Sequence, residues 1–234
     1  MIVYSNGCSH TNGYCVKFHH TWPNIVMSSI LSHTKYDTNP SKLESENILF
    51  NESLHGAGND YILHTSIEKI QLLIDSNKKP DYVFIQWSGP NRRTYYTPTG
   101  ERLFVNAYDN PELGVLFEPQ GSTNTLHYIY LFQQFLKDNN INYLFFNYMA
   151  LDDCITKSKL YSKIDFTKFL IFEKDKSYLL NGALDYFKNK GFTCDDAGHP
   201  SDLANFEISQ LICDKIGYSL IDKKYFLNNK PVLI

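Results

Sequence analysis

Asp81-Tyr82-Val83-Phe84-Ile85-Gln86-Trp87, entered through Pro80, is a run of β-favouring residues with almost no apolar–polar alternation. A strand with one wet face alternates, whereas a strand covered on both faces reads as a continuous apolar run. The latter is the habit of parallel sheets with helices above and below. The segment therefore predicts an interior strand of an α/β layer structure.

Working outward supports this. On the N-terminal side, residues 1–6 read as a short apolar strand that enters the turn Gly7-Cys8-Ser9-His10-Thr11-Asn12-Gly13. A helix is expected over about 21–33, broken at Asn39-Pro40-Ser41, then a second strand at Ile48-Leu49-Phe50. A helix at about 59–76 carries Ile62, Leu63, Ile67, Ile70, Leu73 and Ile74 at helical spacing. On the C-terminal side the stretch 91–120, with Pro98, Gly100, Pro111, Gly114 and Pro119, reads as a long loop insertion, a lid or substrate-side feature. A helix at about 123–138, a strand over 142–148, and helices at about 176–189 and 201–216 complete the alternation. Strands alternating with helices imply one α/β domain over residues 1–234, a three-layer α/β/α sandwich with a mainly parallel, flavodoxin-like central sheet.

Composition narrows the function. A net charge of −3 offers no basic field for a phosphate backbone, so nucleic acid is not expected as a partner. The five cysteines are scattered and odd in number, which favours reduced thiols over a disulfide framework or a zinc finger. The N-terminus reads as a strand and not as a signal peptide, and no apolar run is long enough to cross a bilayer. A cytoplasmic protein without membrane association is therefore the expectation. The Asn/Lys/Tyr/Phe/Ile-rich composition suits an AT-rich genome, a viral one included. His19 and His20 are sequence neighbours whose side chains diverge, and no H-E-x-x-H spacing occurs, so neither a metal nor an organic cofactor is implied.

Four turns carry candidate chemistry. Ser9 follows the first strand in a glycine-flanked turn, where a base could reach its hydroxyl. Serine attacks an acyl carbon only as its proton is removed, commonly by a histidine held by a carboxylate. Asp196 and His199 share the glycine-containing loop before the last helix, and Asp195 is the rival carboxylate, expected to face solvent. Gly56 and Asn91, each in a turn after a strand, could supply oxyanion donors. The bland alternatives are a capping serine at Ser9, helix capping by Asp196, and a glycine at position 56 needed only for its backbone freedom.

Gly7-Cys8-Ser9-His10-Thr11, Asn51-Glu52-Ser53-Leu54-His55-Gly56, Trp87-Ser88-Gly89-Pro90-Asn91 and Asp196-Ala197-Gly198-His199-Pro200 resemble, in order, the four blocks of SGNH (GDSL-like) hydrolases. The resemblance implies a serine esterase with Ser9 as nucleophile, His199 as base and Asp196 as its orienting carboxylate. It implies an oxyanion hole from the Gly56 N–H and the Asn91 side chain, and a small-molecule or carbohydrate ester, for instance an O-acetyl sugar, as substrate. Cys8 stands where the family usually has aspartate, and Arg92 where aspartate usually follows the asparagine. A register shift of a residue or two would bring Ser88 or Asn59 to the pocket in place of Asn91. The same two departures suit a catalytically inactive binding or assembly protein on this fold, which is the alternative reading.

Overall fold

The computed structural model describes residues 1–33, 48–106, 111–173 and 178–220. Its centre is a sheet of β1 (Ile2–Asn6), β2 (Ile48–Asn51), β3 (Tyr82–Trp87) and β6 (Asn142–Asn147), in the order β2-β1-β3-β6 and parallel throughout. Val83 sits between Tyr4 and Tyr143 in register, and Phe84 between Ser5 and Leu144. Isolated parallel bridges, Phe145 to Phe169 and Asn147 to Gly182, prolong the pairing beyond β6. Taking the four parallel strands in chain order, the arrangement is 2-1-3-4, the flavodoxin-like order with its first strand inside.

The two-residue period of the strands sorts the core into two clusters, one on each face. Tyr4, Val83, Ile85, Trp87 and Phe145 point to one side, where Ile62 and Ile70 of α3 (Asn59–Asp75) and Leu126, Ile129 and Phe132 of α4 (Pro111–Asp138) cover them. Val3, Phe84, Leu144 and Phe146 point to the other side. There they meet Trp22, Val26 and Ile30 of α2 (Trp22–His33), Phe187 of α5 (Ala183–Asn189) and Ile208 and Ile212 of α6 (Asp202–Ile216). Each such side chain contributes about 1.5–3 kcal/mol on burial, so two apolar faces explain why β3 shows no polar alternation. The helices α2 and α6 pack together, and Asn205 ties them by accepting the Trp22 N–H at 3.0 Å. This is the three-layer α/β/α sandwich expected.

The stretch 91–120, read as a long loop insertion, is not irregular in its described residues. It holds an antiparallel hairpin, β4 (Arg92–Tyr96) and β5 (Arg102–Asn106), and the first turns of α4. The hairpin closes through Thr97, whose N–H donates to Glu101 O at 2.8 Å, with Gly100 at φ 82°. Carrying arginines, tyrosines and a threonine on a half-exposed ribbon, it lacks the apolar run that marks the central strands. The prolines and glycines that suggested irregularity have specific places. Pro111 opens α4, where its missing N–H costs nothing, and Gly121 lets α4 approach Pro90. A Cβ at Gly121 would lie 2.0 Å from Pro90 O. Likewise the expected helix at 176–189 is a 3-10 turn, Tyr178–Leu180, followed by α5, with residues 176–177 outside the described set. The Asn39-Pro40-Ser41 break also lies outside it. Among the described residues no helix is long and apolar enough to cross a membrane.

Candidate active site

The turns singled out in the sequence converge at the C-terminal ends of β1, β2 and β3, where parallel sheets of this kind carry their ligands. Ser9 opens a single-turn helix, α1 (Ser9–Asn12), whose capping residue is Cys8. Being first in the helix, its N–H has no carbonyl one turn earlier to bond. Gly7 is held against β3, since a Cβ there would meet Thr11 Oγ1 at 2.2 Å, and Thr11 Oγ1 in turn donates to Gln86 Oε1. The Gly56 turn is drawn to the same place by Leu54 N–H donating to Gly7 O at 3.1 Å, and by Asn12 Nδ2 donating to Ser53 O at 2.9 Å. Gly56 itself sits at φ 77°, a left-handed conformation that side-chain-bearing residues rarely adopt.

His199, the candidate base, arrives from the loop between α5 and α6. His199 Nε2 is 3.1 Å from Ser9 Oγ, across almost the whole chain. Its Nδ1 lies 2.6 Å from Asp195 Oδ2, and its backbone N–H donates to Asp195 Oδ1 at 2.9 Å. The carboxylate that meets His199 is therefore Asp195, which corrects the expectation that Asp196 would do so. The cause is the turn between them. Gly198 N–H donates to Asp195 O at 3.1 Å, so Asp195 begins a tight turn and its side chain folds over the residue that follows. Asp196 and Ala197 are left at the exposed tip. Asp195, expected to face solvent, is only partly exposed, with 30% of its side-chain surface open against 13% for His199. Partial burial pushes the Asp195 carboxyl up, but the hydrogen bonds and charge of His199 outweigh it and hold it below the usual carboxylate value.

Behind the serine, His10 stacks on Tyr148 with ring centroids 3.4 Å apart and on His199 at 4.7 Å. Tyr148 donates its hydroxyl to Gly198 O, so one aromatic stack braces the base loop. His10 Nδ1 lies 2.9 Å from Cys8 Sγ, which also accepts from Gln86 Nε2 at 3.3 Å. Cys8 is fully buried. Burial pushes the Cys8 thiol up, yet the nearby His10 and Arg92 charges overcome it and hold it well below its ordinary value. Burial, helped by the Arg92 and His199 charges, holds the His10 imidazole below its own. Arg92 thus directs its charge toward this cluster while Nη1 donates to Ser88 Oγ at 3.2 Å.

Asn91 is buried at 2% exposure, and its Nδ2 donates to Asn106 Oδ1 on the hairpin at 3.4 Å. The amide is thus engaged with β5. Ser88 and Asn59, the alternatives to Asn91, bond to each other: Asn59 Oδ1 accepts the Ser88 N–H at 2.6 Å and Asn59 Nδ2 donates to Ser88 O at 3.0 Å. Sequence reading passed over Tyr14, which is 63% exposed with its ring 4.5 Å from that of His199. It also passed over Cys15 and Cys194 as neighbours of the carboxylate. Cys15 Sγ donates to Asp195 Oδ2 at 3.6 Å. Partial desolvation, then the Cys194 sulfur and the Asp195 charge, push the Cys15 thiol up to about 12. Nothing in the local sequence around these three residues marks them.

The sequence matches no family model and no curated protein. Among solved structures, the lipase Lip_vut3 from a goat rumen metagenome superposes with a TM-score of 0.56 at 13% identity, covering 94% of this chain and 98% of that one. The acetyl xylan esterase AlAXEase superposes at 0.51 with 14% identity, over 92% and 100% of the two chains. LAE5, an α/β hydrolase enzyme from the metagenome of Lake Arreo, Spain, gives 0.50 with 11% identity, over 92% and 94%. At such identities the likeness is one of fold, the α/β fold that this chain shares with these three structures.

Proposed function

We propose that this chain is a serine esterase that works through an acyl-enzyme. The observation that carries the reading is the continuous contact Ser9–His199–Asp195, at 3.1 and 2.6 Å. Ser9 Oγ attacks the ester carbonyl as His199 Nε2 takes its proton, and the imidazolium returns that proton to the departing alcohol. Water then repeats the sequence on the acyl-serine. Asp195 holds the tautomer with Nε2 free to accept and stabilises the imidazolium. The Ser9 and Gly56 N–H groups serve the developing oxyanion, and Asn91 joins them by turning its amide from Asn106. That the fold neighbours are named as a lipase and an acetyl xylan esterase fits this chemistry.

For the substrate we propose an O-acetylated carbohydrate. The exposed Tyr14 ring beside His199 is a flat apolar surface on which a sugar ring can stack while its ester reaches Ser9. p-Nitrophenyl acetate hydrolysis by the wild type and by Ser9→Ala tests the reaction, with a loss of at least about 10³-fold expected in the variant. Turnover that survives Ser9→Ala, or none in the wild type on any acyl length, overturns the esterase reading. The second result would leave a binding or assembly role on the same fold. A panel of acetylated sugars against longer-chain esters then tests the substrate class.

A further inference from the structure

Cys15 lies on the loop that follows α1, and Cys194 is the residue immediately before Asp195. Both thiols are exposed. One ligand atom from each of Cys15, Cys194 and Asp195 lies within 4.8 Å of the others, although 180 positions separate Cys15 from Asp195 in sequence. Zinc–sulfur bonds of about 2.3 Å and zinc–oxygen bonds of about 2.0 Å, meeting at the tetrahedral angle, set sulfur and oxygen about 3.5 Å apart and two sulfurs about 3.8 Å apart. The Cys15 Sγ–Asp195 Oδ2 separation of 3.6 Å already has the length of such an edge. Oδ2 is also the oxygen that faces His199 Nδ1.

We infer that Cys15, Cys194 and Asp195 form a binding site for a thiophilic divalent cation of the zinc class, and that its occupation switches the triad off. Two sulfur donors select soft or borderline ions over magnesium and calcium, and the exposed rim leaves the fourth position to water. Each thiol gives up its proton to solvent as a metal–sulfur bond forms, with no change of oxidation state. The ion draws Asp195 Oδ2 into its own coordination, so His199 loses the acceptor that fixes its tautomer and offsets its charge during attack. The site would make the esterase sensitive to free zinc without making it a metalloenzyme. The inhibitory half rests on the serine-esterase reading, while binding itself does not.

Cobalt(II) provides a spectroscopic probe that needs no substrate. Titrated into reduced, metal-free protein, it should give sulfur-to-cobalt charge-transfer absorption at one equivalent, displaced by zinc. The signal should persist in Ser9→Ala and disappear in Cys15→Ser and in Cys194→Ser. In the ester assay, zinc should inhibit the wild type reversibly, a chelator should restore it, and Cys15→Ser should need at least tenfold more zinc for the same inhibition. No cobalt–thiolate band in the wild type, or a band unchanged in both serine variants, overturns the site. So does a protein that binds no cobalt yet forms a Cys15–Cys194 disulfide with peroxide. A cobalt band that appears normally in a protein without esterase activity would support the site and count against the catalytic reading alone.

Discussion

Asp195 and Asp196 are adjacent acids with opposite surroundings, and a substitution at each separates them. Asp195→Asn keeps the shape but takes away the charge that His199 Nδ1 meets at 2.6 Å, and it can present the wrong hydrogen-bonding group to the ring. A fall in kcat of about 10³-fold or more on p-nitrophenyl acetate is expected, with KM little changed. Asp196→Asn changes an exposed turn residue and should leave both constants within about twofold, in line with the small effects of ordinary surface substitutions. Equal losses in the two variants would mean that the carboxylate is wrongly assigned. The sequence could not separate them. An Asp three residues before His and an Asp four residues before it both reach an imidazole, and only the Asp195–Gly198 hydrogen bond decides which side chain folds inward.

At the level of elements, the approach of α4 to the turn after β3 depends on the absence of a side chain. A Cβ at Gly121 would lie 2.0 Å from Pro90 O and 2.8 Å from Pro90 C, both backbone atoms that cannot rotate away. Gly121→Ala should therefore push α4 from the Pro90–Asn91 turn. Although alanine is favoured over glycine inside helices by about 1 kcal/mol, the net effect should be destabilising by at least about 2 kcal/mol, read as a lower urea midpoint with an unchanged slope. A more stable variant would show that this contact is looser than described. The helix itself was legible only in its second half. Its first turns contain Gly114 and Pro119 and present a weak periodicity, so position 123 looked like the start when Pro111 is. The hairpin was illegible for a related reason: it packs one face on α3, where Asp60 Oδ2 accepts the Thr94 N–H at 2.9 Å, and long-range anchoring of that kind leaves no local pattern.

For the whole molecule, stability resides in two apolar layers pressed on one sheet. Phe132, fully buried on α4, lies edge-on to Trp87 with centroids 6.2 Å apart and stacks on Phe145 at 5.8 Å. Phe132→Ala should cost about 3–5 kcal/mol in equilibrium unfolding, because rigid aromatic neighbours cannot collapse into the space left behind. A loss under about 1 kcal/mol would mean that the cluster repacks freely.

The sequence by itself determined the layer order of the fold, because continuous apolar strands, amphipathic helices and the turns between them are local signals that period and composition report directly. It also singled out Ser9 and His199, which the structure brings within 3.1 Å of each other, because their residue types and placement at strand and helix ends belong to single short segments. Tertiary structure alone decided what depends on segments far apart meeting in space. It chose Asp195 over Asp196, turned the Asn91 amide toward Asn106, folded the supposed loop into a hairpin, and gathered Cys15, Cys194 and Asp195 at the rim of the site. The physical reason is one of range: hydrogen-bond reach and close packing act over a few ångströms, and for these residues the neighbours within that distance come from distant segments or from turn geometry that no spacing rule encodes.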